Sequence, residues 1–317
     1  MEDVIAVVVT YNRKKLLVEC LNAIYNQSAS VSKIVVIDNN STDNTYDYLK
    51  EQKLLTNKLD YYKLEKNIGG AGGFYEGIKK CQKWNPKWVW VMDDDTIPDK
   101  DCLKELLDKK NKISGNISYL ASTVYGVNDE SMNVPNINLS QSESLYPDWY
   151  RYLKYGIVKI KEATFVSLLI NNDAIKKVGY PVKDYFIWGD DIEYTLRLNK
   201  YYGSSYFIGS SVAIHKRKIA KSLSLLEETD LNRLKFHYYM IRNNLINKKT
   251  YYGKKACFKF LLHEEKEMIK ILFNHRAKYK IKKINIIQKG IFCFIFKKYD
   301  YKAFNDRFNL NVKYREQ

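Results

Sequence analysis

Three consecutive carboxylates, Asp93, Asp94 and Asp95, follow directly on the apolar run Trp88–Met92. Side chains alternate along an extended segment, so Asp93 and Asp95 can face one way and Asp94 the other. Such crowded like charges repel unless a cation or a metal-bound polyphosphate sits among them. Two hard oxygen ligands at this spacing suit Mg²⁺ or Mn²⁺ carrying a diphosphate. A solvated acidic turn closing a strand is the alternative for an isolated triplet. A second acidic pair, Asp190–Asp191, lies in Tyr185–Arg197, where a helix is expected to begin and its dipole favours negative charge. Glu193 and Arg197 stand one turn apart and read as a helix-surface pair. His215 closes the run Ser211–His215, at a strand end like the triplet, which makes it a candidate ligand. No Ser-His-Asp order and no cysteine nucleophile is evident.

These groups need a frame that brings strand ends together. Val4–Val9 and Ile34–Ile37 are short continuous apolar runs, the pattern of strands buried on both faces. Asp60–Leu64 reads as a third strand and Trp88–Met92 as a fourth. Helical spacing falls between them, over Lys14–Gln27 and around Tyr46–Leu49, with Ser41 or Thr42 as the expected cap of the latter. A further helix is expected from Phe74 to Trp84, opened by Gly69–Gly73. Glycines there let backbone approach a ligand, although the stretch matches neither the dinucleotide fingerprint nor a P-loop. Asp99–Lys110 reads as helix, and Asn111–Ser144 as a polar, poorly periodic excursion. The aromatic run Tyr146–Tyr150 could line a sugar subsite or simply pack. Strands alternating with helices predict an α/β fold with a mostly parallel, doubly wound sheet, whose ligands bind beyond the carboxyl ends of the strands.

Composition narrows the class. The chain has 317 residues and a net charge of +17, which points to an anionic partner. Its five cysteines are scattered, without the spacing of a zinc site, as in a reducing compartment. The start reads as strand rather than as a secretory leader. No window approaches the ~20 apolar residues of a membrane span.

Taken in order, Val7–Asn12, Asp38–Asp43, Asn67–Phe74, Asp93–Asp95, Trp188–Glu193 and His215 resemble the motifs of family 2 inverting glycosyltransferases with a GT-A (Rossmann-like) fold. The glycine-rich form, the triple Asp, Trp-x-Asp-Asp-x-Glu and the later His are most similar to bacterial galactofuranosyltransferases. Phe236–Asn244 resembles an aromatic–Arg-Asn segment of that group and of related rhamnosyltransferases. The resemblance covers about residues 4–245. It implies that Thr10, Arg13, Asp38 and Asn67 border the nucleotide, with Asp38 near the uracil. It implies that Asp93, Asp95 and His215 hold Mn²⁺ or Mg²⁺ on a UDP diphosphate, and that Asp94 contacts sugar or ribose. Asp191 would be the general base, with Trp188, Asp190 and Glu193 shaping the acceptor pocket. The residue types agree: an inverting transfer needs one base for the acceptor hydroxyl and positive charge for the departing diphosphate.

The implied activity is transfer of galactofuranose from UDP-galactofuranose to a lipid-linked glycan in surface polysaccharide assembly. Rivals are a dTDP-rhamnose donor, or, in another class, a non-catalytic basic protein binding membrane or nucleic acid. No RNA-binding signature is found, so no nucleic-acid partner is expected. The division expected is a catalytic domain over residues 1–245 and a basic helical region over 246–317. From Lys248 to Lys302, sixteen Lys/Arg face four acids, with apolar residues such as Phe258, Leu262, Ile269, Phe292 and Phe296 interleaved. Such helices can lie on an anionic leaflet, or pack on the catalytic domain or a second subunit as a homo-oligomer contact. The membrane reading places the protein in the cytoplasm, peripheral to the inner face of the cell membrane.

Overall fold

The computed structural model describes residues 3–217 and 224–298; the end of the expected C-terminal region, 299–317, lies outside the described residues. The first half alternates strand and helix: β1 (Val4–Thr10), α1 (Lys14–Tyr25), β2 (Lys33–Asp38), α2 (Thr45–Glu51), β3 (Leu59–Lys63), α3 (Gly69–Cys81) and β4 (Trp88–Asp93). Then come β5 (Thr96–Pro98), α4 (Cys102–Lys110), β6 (Ile117–Tyr125) and the short β7 (Ser131–Met132) and β8 (Asn136–Ile137). β9 (Ile157–Glu162), β10 (Leu168–Asn171), α5 (Asn172–Val178), α6 (Asp190–Tyr201) and β11 (Ser204–His215) complete the sheet and its cover. The short α7 (Leu231–Leu234) and two long helices, α8 (His237–Phe273) and α9 (Lys280–Ile295), follow.

One sheet runs β3-β2-β1-β4-β10-β6-β11-β9-β8, with β5 on β11 and β7 on β6. β3, β2, β1 and β4 are mutually parallel, as the βα alternation requires. β10 enters antiparallel to both β4 and β6, and β9 antiparallel to β11, so the sheet is mixed beyond β4. Alternation along β1 fills both layers. Val4, Ala6 and Val8 pack in one core with Leu17 and Leu21 of α1 and Leu103 of α4. Ile5, Val7 and Val9 pack in the other with Phe74 and Ile78 of α3 and Tyr194 and Leu198 of α6.

Three expectations about elements fail for identifiable reasons. The supposed polar excursion 111–144 contains β6, a strand inside the sheet. Its Ser118 and Ser122 read as polar but are fully satisfied within the fold. Ser118 donates to the carbonyls of Leu198 and Gly203, and Ser122 bonds Ser167 and Ser211 at 2.7 and 2.8 Å. α3 begins at Gly69 rather than Phe74, so the glycines form its first turns instead of a loop. Neither Ser41 nor Thr42 caps α2; Asn44 holds that place in a left-handed conformation, and the Ser41 hydroxyl accepts from the Asn12 amide. In the run Tyr146–Tyr150, Tyr146 and Tyr150 face solvent.

The division expected after residue 245 falls inside α8. Tyr251 and Tyr252 still reach the sheet domain through Glu193 and Glu162, and the helical geometry breaks only at Gly253. Beyond it, Cys257, Ile271 and Ile287 are buried in the seam between α8 and α9. Phe258, Ile269, Phe273, Ile281, Phe292 and Phe296 remain half or more exposed. No helix among the described residues is long and apolar enough to cross a membrane.

Candidate active site

β4 ends at Asp93, and β11 runs antiparallel to β5 so that His215 pairs with Thr96, one residue past the triplet. This register brings a side chain 120 positions downstream to the acidic strand end. One ligand atom from each of Asp93, Asp95 and His215 lies within 4.8 Å of the others. His215 Nε2 is 3.0 Å from Asp95 Oδ1, yet that buried oxygen has no hydrogen-bond partner of acceptable geometry. On the far side of the ring, His215 Nδ1 stands 2.8 Å from the Asn133 amide oxygen. The Asn133 amide braces the ring from behind and holds its Nε2 edge toward the carboxylate. An imidazole fixed in this way beside two carboxylates is the donor set of a divalent metal. The three residues therefore fit the implied ion.

Asp94 stands in the turn between β4 and β5 and is held by Thr10 and Arg13. Its Oδ2 accepts from Thr10 at 2.7 Å, and its Oδ1 from Arg13 at 3.3 Å; Arg13 also binds Asp95 Oδ2 at 2.6 Å. Burial raises the Asp93 carboxyl well above its ordinary range, and Asp95 and Asp94 raise it further. Burial likewise lifts Asp94 to about 7, although Arg13 opposes it. Asp95 is held low by His215 and Arg13 despite its burial. The frustration of the triplet is the electrostatic statement that a cation belongs there.

Thr10 and Arg13 thus converge on the triplet. Asp38 and Asn67, expected beside the nucleotide, are turned to their own loops. Asp38 is buried, accepting from the Ser41 amide at 2.6 Å and from the Tyr61 hydroxyl. Asn67 accepts from the Gly69 amide. Asn39, which sequence reasoning missed, ties the two together. It donates to the Gly69 carbonyl and accepts from the Ile68 amide, at 2.8 and 2.9 Å.

The glycine-rich turn packs against the second acidic stretch. Gly69 has φ +77°, and a Cβ there would fall 2.0 Å from the Phe186 carbonyl oxygen, which accepts from Ala71. Gly73 faces Val9, whose methyl would lie 2.5 Å from a Cβ. Gly69 and Gly73 thus serve close packing, while Gly70 faces open space.

Asp190 and Asp191 open α6 after a contorted loop in which Phe186, Trp188 and Gly189 all have positive φ. Strain of this kind persists only where the surroundings over-determine it, and α8 supplies the constraint. Asn243 donates to the carbonyls of Tyr185, Ile187 and Trp188. Asn247 donates to Gly189 and accepts from the Tyr185 hydroxyl at 2.7 Å. Arg242 donates to Asn243 Oδ1 and to the Asp184 carbonyl. The Arg-Asn segment was noticed in the sequence, but its work of clamping this loop was not.

Asp190 is 6% exposed, and its charge is felt at Asp93. Burial and then Asp191 drive its carboxyl well above the ordinary range. Asp191 is half-buried, accepts from the Ile192 amide, and is raised by burial to about 6. Trp188 is half-buried and packs edge-on against His237. Glu193 corrects one expectation. It is not on the helix surface: fully buried, it forms a two-pronged pair with Arg197 at 2.9 Å and accepts from Tyr251 at 2.7 Å.

The chain is similar to known proteins in sequence and in fold. The galactofuranosyltransferase GlfT1 of Mycolicibacterium smegmatis is 27% identical over 214 residues, 62% of this chain and 65% of that protein. The chain thus spans just under two thirds of that relative. The S. aureus TarS 1-349 structure in complex with UDP-GlcNAc superposes with a TM-score of 0.55 at 17% identity, covering 91% of this chain and 80% of that one. GalNAc-T7 with UDP, GalNAc and Mn²⁺ superposes with a TM-score of 0.61 at 13% identity, over 90% of this chain and 54% of that one. Both share the expected fold. The model of glycosyl transferase family 2 matches residues 5–179, more than half of the chain and the whole span from β1 to the end of α5, and the chain belongs to that family.

Proposed function

We propose that the protein is an inverting, metal-dependent galactofuranosyltransferase that moves galactofuranose from UDP-galactofuranose to a lipid-linked glycan. The observation that carries this reading is the meeting of Asp93, Asp95 and His215 at one strand end, with the Asp190–Asp191 turn close enough to be felt at Asp93. The similarity to the galactofuranosyltransferase GlfT1 supports the sugar transferred, and the structural neighbours in complex with UDP and UDP-GlcNAc support a UDP-sugar.

In this reading Asp93, Asp95 and His215 hold the ion, either Mn²⁺ or Mg²⁺. When bound, it would offset the charge of the departing diphosphate. Thr10 and Arg13 hold Asp94 in place at the donor side, and Asp38, Asn39 and Asn67 fix the nucleotide wall. Asp191 takes the proton of the acceptor hydroxyl as that oxygen bonds to the anomeric carbon and the carbon–oxygen bond to UDP breaks. Its partial exposure and its pKa near 6 leave it ionised and reachable near neutral pH. The more deeply buried Asp190 presses on the metal ligand Asp93, and Trp188 walls the acceptor side.

Residues 246–317 serve as the membrane-facing part. In them a basic surplus coexists with the exposed apolar side chains of α8 and α9. That pattern fits peripheral binding to an anionic cytoplasmic leaflet, where a lipid-linked acceptor resides. The deciding experiment offers UDP-galactofuranose, UDP-GlcNAc and dTDP-rhamnose, with Mn²⁺ and prenyl-diphosphate-linked glycans, and identifies the product and its anomeric configuration. Transfer from dTDP-rhamnose alone would reassign the donor, and retention of configuration would reject the single displacement.

A further inference from the structure

Behind the loop that carries Asp190 and Asp191 lies a cleft of about 750 Å³, which shares Asn67 with the nucleotide wall but is otherwise lined by residues given no role in the transfer above. One wall is the turn before α3, with Lys66. The other is the α8–α9 hairpin, with Arg242, Lys289 and, just past α9, Lys298. Lys183 stands at the loop itself. Five cations thus face two acids, Glu76 and Asp184, and Glu76 is already 3.6 Å from Lys183. The surface between the cations is aromatic. Phe186 stacks on Tyr239 with centroids 4.9 Å apart, Tyr238 and Tyr239 lie 4.1 Å apart, and Lys289 sits 3.8 Å above the Tyr238 ring.

We propose that this cleft seats the phosphate-bearing end of the acceptor, a prenyl diphosphate, next to the loop that carries Asp190 and Asp191. The proposal rests on the lipid-linked acceptor reading and gives it a place. Charge complementarity is the first argument: an excess of cations around a solvent-open cavity attracts a polyanion, and ammonium and guanidinium groups bind phosphate oxygens by charge-assisted hydrogen bonds. The second argument is continuity with the apolar tip of α9. Cys293 and Lys289 line the cleft, while Phe292 and Ile295 on the same helix and Phe296 at its end are 50, 56 and 60% exposed. A basic cavity running into exposed apolar side chains matches an amphiphile with an anionic head and an apolar tail, rather than a free sugar phosphate. The third is Arg242, which lines the cleft and also braces Asn243, the residue holding the catalytic loop. An anion in the cleft therefore meets the support of the loop directly.

The test is calorimetric binding of farnesyl diphosphate, inorganic pyrophosphate and farnesol to the full chain in EDTA, where no metal recruits a diphosphate to Asp93 and Asp95. Farnesyl diphosphate is expected to bind more tightly than pyrophosphate or farnesol. Lys289→Glu, Lys298→Glu and, from the opposite wall, Lys66→Glu should each weaken it about tenfold or more. UDP with Mn²⁺ should bind these variants as it binds wild type and should not displace the prenyl probe. Unchanged farnesyl diphosphate affinity in all three variants, or its displacement by UDP and Mn²⁺, overturns the proposal. Pyrophosphate binding as tightly as the prenyl diphosphate overturns the lipid assignment. Failure of the acceptor reading is seen separately: wild type would transfer to no prenyl-diphosphate-linked glycan, and the acceptor role would fall even with binding intact.

Discussion

The Asn243 carboxamide donates to the Trp188 carbonyl at 2.7 Å, joining the first turns of α8 to the loop that precedes Asp190 and Asp191. Two more carbonyls of the same loop, those of Tyr185 and Ile187, are satisfied by this one side chain. Without them the positive-φ turn at Phe186 and Trp188 would have no reason to persist. Asn243→Ala leaves buried carbonyls unpaired, so stability should fall by roughly 1–3 kcal/mol. The turnover number should fall further than that loss explains, with the affinity for UDP and Mn²⁺ retained. A variant with full kcat and lowered stability would reduce Asn243 to a packing role.

The metal group gives the second prediction. Asp95→Ala and His215→Ala should each abolish transfer at ordinary Mn²⁺ concentrations while the protein stays folded. Asn133→Ala removes only the brace behind His215, so its cost should be about 10–100-fold in metal affinity, recovered at high metal. Activity of Asp95→Ala in chelator would reject the assignment.

Asp191 should separate activity from stability. As a base it must be ionised, so the rate should rise with pH through about 6 and level off above it. Its pKa in the folded protein lies above the unfolded value, so the folded state binds the proton more tightly. The stability this confers is present below about pH 4 and is lost as pH rises through about 6. At pH 7 Asp191→Asn should therefore lose roughly 10²–10⁴-fold in rate yet gain up to about 2 kcal/mol in stability. If Asp191→Asn is active and Asp190→Asn dead, the two roles are exchanged.

Glu193 should behave as structure. Glu193→Gln leaves the Arg197 guanidinium buried without its counter-charge, at a cost of about 3–5 kcal/mol. Equilibrium denaturation measures the loss. The acceptor KM of the remaining folded enzyme should not move, and a selective rise in that KM would restore Glu193 to the acceptor pocket.

The C-terminal helices should bind anionic vesicles in a salt-dependent manner, since each Lys or Arg near such a surface contributes on the order of 1 kcal/mol. Sedimentation with vesicles of phosphatidylglycerol and phosphatidylcholine reads this directly. Removing the residues after Gly253, where the helical geometry of α8 breaks, should abolish most of it. Equal binding to neutral and anionic vesicles would leave packing against protein as the function of this region.

The sequence by itself determined the parallel half of the sheet and the acidic strand end. Val4–Val9, Ile34–Ile37 and Trp88–Met92 are continuous apolar runs, and only a strand covered on both faces accommodates them. Tertiary structure alone decided the rest, because the deciding contacts are long-range. β6 hid behind serines whose partners, Leu198, Gly203 and Ser211, come from distant stretches of chain. The environment of Glu193 depends on Tyr251, 58 residues away, and on the carbonyl of Tyr180 that Arg197 also binds. Asn133 carries no mark of its place behind His215, and the Arg242–Asn243–Asn247 clamp reads along the chain only as part of a helix. A pattern of residue types encodes which face of an element is buried. Which carbonyl, ring or carboxylate it meets there is set by the packing of elements far apart in sequence, and that packing turns scattered carboxylates into one site.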